Sequence, residues 1–401
     1  MKVYIVSAKR TPIGSFNGTL SSLSVSRFAS VAAKSALDAS GIDPAKLDEV
    51  IIGHVLTAGC GQGPARQTAL GAGVPIEVPA SAVAMVCGSG MKAIHAAYAN
   101  VKAGLGELYL AGGMESMSRA PYIIQDARTG FRMGHQALTD TMLGDGLTDA
   151  FSNLHMGITA ENIAKKYEIT RQQQDEFAIN SQKKAIAAVD SGAFAEEIAA
   201  VQVKVKKDTI TFDKDEYPNR ATSLEKLSAL RPAFLNDGTG TVTAGNASGI
   251  NDGAAFVTVA SEEAVKKYGL TPIAEIVSVG IGGVEPSVMG MGPVPAIAKA
   301  LSSADLKLAD VGLIELNEAF AAQSLGVVRE LEKQHGLSEE EILARTNLNG
   351  GAIALGHPVG ASGARIVVTL AHLLKKPGSR YGLASLCIGG GMGAAVVLKK
   401  A

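Results

Sequence analysis

The chain has 401 residues, of which 47% are hydrophobic and 19% charged, and its formal net charge is −1. This length allows roughly two or three globular domains with a large core, and the balanced charge argues against a nucleic acid or a membrane surface as the main partner. No apolar run is long enough to span a membrane. The three cysteines, at positions 60, 87 and 387, are an odd and sparse set, so we predict reduced thiols in a cytoplasmic protein.

Short apolar runs and helical spacing alternate along the chain. The first run, VYIVSA, is too short for a signal-peptide core and predicts a strand. Strands are predicted at 3–8, 49–53, 108–112, 274–279, 313–316 and 383–388, and helices at 24–40, 90–102, 294–302 and 363–375. The alternation predicts an α/β fold with mainly parallel sheets covered by helices, closed by an antiparallel return through GLASLCI and GAAVVLKK.

Several segments occur twice in the same order. IVS is found at 5–7 and 276–278, ALDASGIDPAKLDEVIIG (36–53) resembles ALSSADLKLADVGLIELN (300–317), SGMK (89–92) resembles SGAR (362–365), and AGGMES (111–116) resembles GGGMGA (389–394). The two copies of each segment lie about 270 residues apart, which predicts two similar halves.

Residues 118–249 lie outside this repeat and are richer in polar residues. Thr170 begins a helix there, Gln173 completes a capping box, and Gly192 follows the helix end. We expect a subdomain lying over a site that both halves form. Its basic residues could meet a polyphosphate or form a solvated face: Lys204, Lys206, Lys207, Arg220, Lys226 and Arg231.

Cys87 stands in VCGSGMKA, directly before a predicted helix. A helix N-terminus favours a thiolate, which would make Cys87 a nucleophile, although a free cysteine is often a buried, inert thiol. His357, in GHPVGASGAR, is either a general base or a turn histidine. Because Ser89 and Ser362 are equivalent in the repeat, Cys87 and His357 precede equivalent helices and could converge.

Two further residues end predicted strands. Cys387 precedes GGGMG and is either a reactive or a structural cysteine, whereas Asn317 could hold a water or an oxyanion or could cap a helix. Glu318 could also be a capping residue. No CxxC or HxxxH metal spacing, phosphate-binding glycine motif or GxSxG motif occurs.

The motifs VCGSGMKA, AGGMESMS, TVTAGNASGINDGAA, NEAF, GGAIALGHPVGASGAR and CIGGGMG, in this order, resemble the thiolase family over essentially the whole chain. The resemblance implies a five-layer αβαβα fold of two pseudo-symmetric βαβαβαββ halves. These are 1–117 plus about 250–270, and 271–401, with a loop domain inserted at 118–249. The family forms dimers or tetramers, and we expect a homotetramer.

The resemblance also implies a reversible Claisen condensation of two acetyl-CoA molecules to acetoacetyl-CoA and CoA. Cys87 would carry the acetyl group, His357 would take the Cys87 proton, and Cys387 would remove a proton from the second acetyl-CoA. Asn317, through a water and together with His357, would hold the enolate oxygen. The backbone N–H groups of Cys87 and Gly389 would hold the tetrahedral oxyanion. No cofactor is implied, because CoA is substrate and product.

The segment NLHMGITAEN (153–162) is similar to the acetoacetyl-CoA-forming branch of the family. By this resemblance the CoA-binding residues are His155 and Met156 along the pantetheine tunnel, Ser248 on pantetheine, Arg220 near the adenine and phosphates, and Ala319 and Phe320 in the pocket. Cys60 is not a usual family residue, and we expect no catalytic role for it.

Two other functions remain open from the sequence. One is a broad-chain 3-ketoacyl-CoA thiolase of β-oxidation, and the other is a non-catalytic acyl-CoA carrier with the same fold. A further hypothesis is that oxidation links Cys87 to Cys387 and stops activity, provided that their Cα atoms lie within roughly 7 Å.

Overall fold

The computed structural model describes residues 1–401. The strands are β1 (Val3–Arg10), β2 (Gly14–Ser15), β3 (Glu49–Gly53), β4 (Ala80–Val83), β5 (Leu108–Ser116), β6 (Tyr122–Ile123), β7 (Thr139–Asp140), β8 (Val201–Val205), β9 (Asp208–Phe212), β10 (Asn251–Ser261), β11 (Ala274–Gly283), β12 (Val311–Leu316), β13 (Tyr381–Ile388) and β14 (Met392–Lys400). The helices are α1 (Val25–Ser40), α2 (Pro64–Gly71), α3 (Ser89–Lys102), α4 (Met156–Lys166), α5 (Arg171–Asp190), α6 (Leu224–Ser228), α7 (Glu262–Tyr268), α8 (Pro293–Ser303), α9 (Ala321–His335), α10 (Glu339–Ala344), α11 (Ala352–Leu355) and α12 (Val359–Lys375). No helix is both long and apolar enough to cross a membrane.

Ten strands form one sheet system, with β2 joined to β10 and the others in the order β12-β13-β14-β11-β1-β10-β5-β3-β4. The first half supplies β1, β3, β4, β5 and β10, and the second supplies β11 to β14. The halves meet edge to edge where Tyr4 and Ile5 pair with Glu275 and Ala274.

Helices cover both faces of each half. The helix α1 packs on the outer face of the first sheet and α8 on the outer face of the second, while α3 and α12 pack against each other between the two sheets. The largest core fills this middle layer, and two further cores lie under the outer helices. This arrangement confirms the predicted α/β fold with αβαβα layers.

The central helices approach closely at glycines. A Cβ atom added to Gly90 in α3 would lie 2.9 Å from the carbonyl oxygen of Gly360 in α12. Gly113 in β5 also lies against the Gly360 carbonyl. The starts of α3 and α12 are therefore held side by side, which brings the residues preceding them to one place.

Strand pairing differs in part from the prediction. Parallel pairs join β3 to β4, β3 to β5 and β12 to β13, whereas β1–β10, β5–β10, β11–β14 and β13–β14 are antiparallel. The prediction of mainly parallel pairing is therefore wrong. The last strand of each half returns antiparallel and inserts between strands that share one direction. The predicted return through β13 and β14 is confirmed.

The internal repeat is visible in atomic detail. A bulge interrupts β1 between Ile5 and Ser7, and another interrupts β11 between Ile276 and Ser278. The Ser7 hydroxyl donates to the Ala36 carbonyl at 2.6 Å, and the Ser278 hydroxyl donates to the Ala300 carbonyl at 2.6 Å. These residues fall in the first two sequence similarities and confirm them.

The matching of AGGMES with GGGMGA is wrong. Residues 111–116 lie inside β5, whereas residues 389–394 form the turn between β13 and β14 and the start of β14. The glycines have different roles. Those of β5 allow the neighbouring helices and strand to approach closely, whereas Gly390 and Gly391 adopt positive φ in the turn.

The chain between β5 and β10 contains α4, α5, α6 and the small sheets β6–β7 and β8–β9. The helix α5 begins with the predicted capping box of Thr170 and Gln173, and Gly192 follows its end with φ of 72°. The helices α4 and α5 pack against α9 of the second half. In the first half, β4 pairs with β3 at the edge of the sheet. At the corresponding edge of the second half, beside β12, only an isolated parallel bridge between Ile314 and Thr346 is formed.

Candidate active site

An apolar cavity of about 410 Å³ lies where the two halves meet the inserted segment. Nine of the residues proposed from the sequence line this cavity: Cys87, His155, Met156, Ser248, Ala319, Phe320, His357, Cys387 and Gly389. The two remaining residues do not line it. Asn317 is fully buried next to His357, and Arg220 lies on the surface.

The nucleophile candidate Cys87 follows a strained turn. Val86 has a φ of 44°, in the left-handed region that a β-branched residue rarely occupies. The Ser89 hydroxyl accepts a hydrogen bond from the Met85 N–H at 2.8 Å and donates to the Val86 carbonyl at 2.7 Å. These bonds hold the turn between β4 and α3, so that Cys87 projects at the start of the helix.

Burial controls the protonation of Cys87. Burial of the thiol raises its pKa to about 11, although hydrogen bonds from the backbone N–H groups of Gly389 and Cys87 act in the opposite direction. The resting residue is therefore a neutral thiol at pH 7, because burial outweighs the N–H groups that, as expected at a helix N-terminus, favour the thiolate. The two N–H groups directed at sulfur are the pair expected to hold an oxyanion.

His357 is held on three sides and free on the fourth. Gly356, which has a φ of 103°, precedes His357 in the chain. The backbone N–H of His357 donates to Asn251 Oδ1 at 3.0 Å, and His357 Nδ1 lies 2.6 Å from the Ser362 hydroxyl. Burial, with a smaller contribution from the Arg365 charge, lowers the pKa of His357 to about 4. The ring is therefore neutral at pH 7, and its Nε2, which has no partner in the protein, can accept a proton.

Cys387 lies at the end of β13, opposite Gly393 of β14. The tight turn after it uses Gly390 and Gly391, with φ of 83° and 84°. Burial raises the pKa of the Cys387 thiol well above its usual range, and the neighbouring Cys87 raises it further. The structure thus brings the half-buried thiol of Cys87, the buried thiol of Cys387 and one neutral imidazole to a single cavity.

Asn317 follows β12 and does not cap a helix. Its N–H donates to the Ser385 carbonyl at 3.0 Å, and α9 begins four residues later at Ala321. The side-chain nitrogen lies 3.5 Å from His357 Nδ1, which is too long for a strong hydrogen bond, and Oδ1 has no partner in the protein. The alternative of an N-cap is therefore wrong, and the amide oxygen of Asn317 is left without a partner in the protein.

Glu318 does act as a capping residue, but for a different helix from the one that follows it. Its buried carboxylate accepts hydrogen bonds from the Ile353 N–H at the start of α11, from the Ser181 hydroxyl of α5 and from Asn347 Nδ2. It therefore joins the inserted segment to the loop that leads to His357.

One wall of the cavity is aromatic. His155 caps α4, and its Nδ1 accepts a hydrogen bond from the Gly157 N–H at 3.0 Å. Its ring stacks on Phe234 with centroids 4.6 Å apart, and Phe234 meets Phe320 edge to face at 6.4 Å. Burial lowers the pKa of His155, so the ring is a neutral, flat surface at pH 7.

The remaining CoA-binding candidates divide into two groups. The Ser248 N–H donates to the Ala319 carbonyl at 2.9 Å, so these residues are held together at the cavity wall. Arg220 instead pairs with Asp190 at 2.6 Å and lines a surface depression of about 920 Å³. Tyr217 lines both the depression and the cavity, and so connects them.

Sequence reasoning missed much of the apolar lining: Phe16, Val86, Met117, Leu147, Tyr217, Phe234 and Met289. Apolar residues on a cavity wall have the same sequence pattern as core residues, so no signal distinguished most of them. Val86 is the exception, because it directly precedes the nucleophile candidate.

A second buried polar cluster lies near the site. Glu115 Oε1 is 3.3 Å from His54 Nε2, and the carboxylate accepts hydrogen bonds from the N–H groups of Leu56 at 3.1 Å and Gly360 at 3.0 Å. Burial alone would lower the pKa of His54, but interactions with Cys60 and Glu115 raise it to about 9. Cys60 therefore lies beside this pair and outside the cavity.

Comparison with known proteins gives a consistent result. Residues 3–263 match the thiolase N-terminal domain, and residues 270–400 match the thiolase C-terminal domain. Acetyl-CoA acetyltransferase of Escherichia coli (strain K12) is 53% identical over 397 residues, covering 99% of this chain and 98% of that protein. Cytosolic acetyl-CoA acetyltransferase of Mus musculus is 50% identical over 398 residues, with 99% and 98% covered.

A crystal structure of human mitochondrial 3-ketoacyl-CoA thiolase in complex with CoA superposes with a TM-score of 0.93 at 43% identity, covering 100% of this chain and 98% of that chain. The similarity to this structure and to both relatives extends over essentially the full length of the chain. The resemblance drawn from the sequence motifs is confirmed: the chain belongs to the thiolase family.

Proposed function

We propose that the protein is an acetyl-CoA C-acetyltransferase, which condenses two acetyl-CoA molecules reversibly to acetoacetyl-CoA and CoA. The observation that carries the proposal is the meeting of Cys87, His357 and Cys387 in one apolar cavity, with two N–H groups directed at the Cys87 sulfur. The full-length relatives in Escherichia coli and mouse, both named acetyl-CoA acetyltransferase, support it.

In the first half-reaction, Cys87 Sγ attacks the thioester carbonyl of acetyl-CoA while its proton passes to His357 Nε2. The oxyanion accepts hydrogen bonds from the N–H groups of Cys87 and Gly389. The carbonyl reforms, the bond to the CoA sulfur breaks, and the leaving CoA thiolate takes the Cys387 proton. The products are acetyl-Cys87, free CoA, a Cys387 thiolate and a protonated His357.

In the second half-reaction, the Cys387 thiolate removes a proton from the methyl group of a second acetyl-CoA. The enolate oxygen is held by protonated His357 and, through a water, by Asn317. The enolate carbon attacks the acetyl carbonyl, and acetoacetyl-CoA forms as the bond to Cys87 breaks. Cys87 regains its proton from His357, so both thiols and the imidazole return to their neutral resting state.

This scheme fits the resting protonation states. With a thiol pKa of about 11, Cys87 becomes nucleophilic only as its proton is transferred, and with a pKa of about 4, His357 is free to receive it. The high pKa of Cys387 makes its transient thiolate a strong base. No cofactor takes part in the proposed reaction, because CoA itself supplies the activated thioester.

For CoA binding, we place pantetheine along His155, Met156 and Ser248, with the adenine end towards the depression that Arg220 lines. Arg220 would then exchange Asp190 for a phosphate. Both groups of this ion pair are solvent-exposed, so water and salt screen their attraction and the exchange costs little.

The short-chain assignment is supported by the cavity wall. Phe320, Phe234 and His155 form an aromatic surface in a cavity of only about 410 Å³, which must hold both the acyl group and part of pantetheine. The competing function, a broad-chain 3-ketoacyl-CoA thiolase, is favoured by the name of the human structure. Thiolysis of acetoacetyl-CoA should exceed that of 3-ketohexadecanoyl-CoA, and the reverse preference would refute the short-chain assignment.

We further propose a cytoplasmic homotetramer. The loop between β6 and β7 exposes large apolar side chains, including Met133 at 96% and Leu138 at 63% exposure, which is costly unless another subunit covers them. The cytosolic mouse relative supports the location. Sedimentation of the purified protein should give four times the chain mass, and replacing Met133 and Leu138 with serine should reduce it.

The first test is intact-mass spectrometry after brief incubation with acetyl-CoA. The wild type should gain one acetyl group, Cys87→Ala should gain none, and the control Cys60→Ala should behave as wild type. If the wild type binds CoA but never acquires the adduct, the proposal is wrong and the non-catalytic acyl-CoA carrier is the better assignment.

A further inference from the structure

The internal repeat places two serines at equivalent positions beside the two residues that start the chemistry. Ser89 lies in α3, two residues after Cys87, and Ser362 lies in α12, five residues after His357. Both side chains are buried, with 0% and 1% exposure. Each hydroxyl makes two hydrogen bonds within the protein. Those of Ser89 join the turn directly before Cys87, and one of those of Ser362 joins the ring of His357.

The bonds of Ser362 determine which nitrogen of His357 carries hydrogen. The hydroxyl lies 2.9 Å from the Pro358 carbonyl and 2.6 Å from His357 Nδ1. The hydroxyl is placed to donate to the Pro358 carbonyl, which also accepts from the N–H groups of Ala361 and Ser362, and a serine that donates there leaves its oxygen to accept from His357 Nδ1. With the hydroxyl in this orientation, the His357 ring carries its hydrogen on Nδ1 and its lone pair on Nε2.

This tautomer is the one that a general base needs here. Nε2 has no hydrogen-bond partner in the protein, whereas Nδ1 faces Ser362. The other group near Nδ1 is the amide nitrogen of Asn317 at 3.5 Å, which is a donor and cannot accept a hydrogen from the ring. Ser362 is thus the acceptor that fixes the form of His357.

The bonds of Ser89 act on the backbone instead. Because the Met85 N–H can only donate, the Ser89 oxygen accepts from it, and the hydroxyl hydrogen goes to the Val86 carbonyl. The Val86 residue that is clamped in this way has a φ of 44°. A strained conformation persists only when its surroundings hold it. The Ser89 hydroxyl supplies two such hydrogen bonds, one to the Met85 N–H and one to the Val86 carbonyl.

We propose that Ser89 and Ser362 are a pair of positioning residues related by the internal repeat, one holding the strained turn that presents Cys87 and the other fixing His357 as the Nδ1–H tautomer. The inference rests on the proposed function, in which Cys87 is acylated and His357 receives its proton. Neither serine is required to touch the substrate. In both halves, the serine that the internal repeat aligns near the start of a central helix serves the reactive residue that precedes it.

The tautomer can be measured without any activity assay. Solid-state ¹⁵N NMR of protein labelled at histidine nitrogens distinguishes a protonated from an unprotonated ring nitrogen, and the His357→Asn variant identifies the His357 signals. We expect Nδ1 protonated and Nε2 unprotonated at pH 7 in the wild type. A protonated Nε2 would overturn the assignment of Ser362, whatever the variants do.

The variants Ser362→Ala and Ser89→Ala test the pair, with Ser30→Ala as matched control. Ser30 is a buried serine of α1 whose hydroxyl donates to the Ser26 carbonyl four residues back, as Ser362 does to Pro358, but it lies far from the cavity. Ser362→Ala should populate the second tautomer and lower kcat by about ten- to a hundredfold with little change in KM. Ser89→Ala should slow acetylation of Cys87 and leave the ¹⁵N signals of His357 unchanged.

If both variants match Ser30→Ala in acetylation rate and kcat, the positioning roles are refuted. If the wild type forms no acetyl adduct, the proposed function fails instead, and the tautomer measurement still decides what Ser362 does to His357.

Discussion

The protonation state of Cys87 gives a sharp chemical prediction for alkylation by iodoacetamide, which reacts with the thiolate. At pH 8 a thiol with a pKa of about 11 is ionised in about one molecule in a thousand, against about one in ten for a thiol with the ordinary value of 9.0. We therefore expect Cys87 in the folded protein to react about 100-fold more slowly than an exposed thiol. The rate should rise about tenfold per pH unit from pH 7 to 10.

Peptide mapping by mass spectrometry follows Cys87 separately from Cys60 and Cys387, and the same peptide in denatured protein gives the reference rate. His357→Asn is the informative control. Because His357 is neutral at rest, this variant should leave the alkylation profile almost unchanged while abolishing acetylation by acetyl-CoA. A rate that is already constant above pH 7 and falls in His357→Asn would show a resting thiolate–imidazolium pair and refute the reasoning from burial.

Three further predictions concern stability. Glu115→Gln removes the partner of the buried His54 charge, and urea unfolding at pH 7 should show a loss of about 3–5 kcal/mol; a loss below about 1 kcal/mol would contradict an ion pair there. The lowered pKa values of His95 and His357, about 3 and about 4, mean that the unfolded chain takes up more protons below pH 6.5. Each should cost about 2 kcal/mol between pH 7 and 5, whereas the raised pKa values of His54 and Glu315 should return about 1 and about 2.5 kcal/mol, so the unfolding free energies at the two pH values should agree within about 1 kcal/mol, and a fall of several kcal/mol at pH 5 would contradict this balance. Gly113→Ala forces a methyl group against the carbonyl at the start of α12, so its melting temperature should fall markedly, and an unchanged value would contradict the close approach described above.

Sequence patterns predicted several of the elements that apolar residues mark, but they missed the fully buried strand β10 and the helix α9. The strand predicted at 49–53 occurs there as β3. The strand predicted at 108–112 begins at Leu108 but extends to Ser116 as β5. The missed part contains Glu115, a charged residue that normally argues against a buried strand. Its partner His54 is far away in the chain, so only the folded structure shows how the carboxylate is accommodated.

The same division between local and tertiary information holds in the site. Motifs and the repeat pointed to Cys87, His357 and Cys387, and all three line one cavity. The helix N-terminus that follows Cys87 was visible in the sequence, but the burial that outweighs its effect on the thiol pKa was not. Arg220 was assigned by resemblance, and its pairing with Asp190 on the surface depends on packing of the inserted segment.

The contact of α3 with α12 through Gly90 and Gly360 also affects molecules that are only partly folded. Cys87 is presented by one half and His357 by the other, and their meeting depends on this contact. In a molecule in which one half has opened, Cys87 has no base beside it. By the proposed mechanism such a molecule is not acetylated by acetyl-CoA, so no acetyl group is lost by hydrolysis. Separation of the halves is therefore expected to prevent acetylation of Cys87, because His357 is then no longer beside the thiol to take its proton.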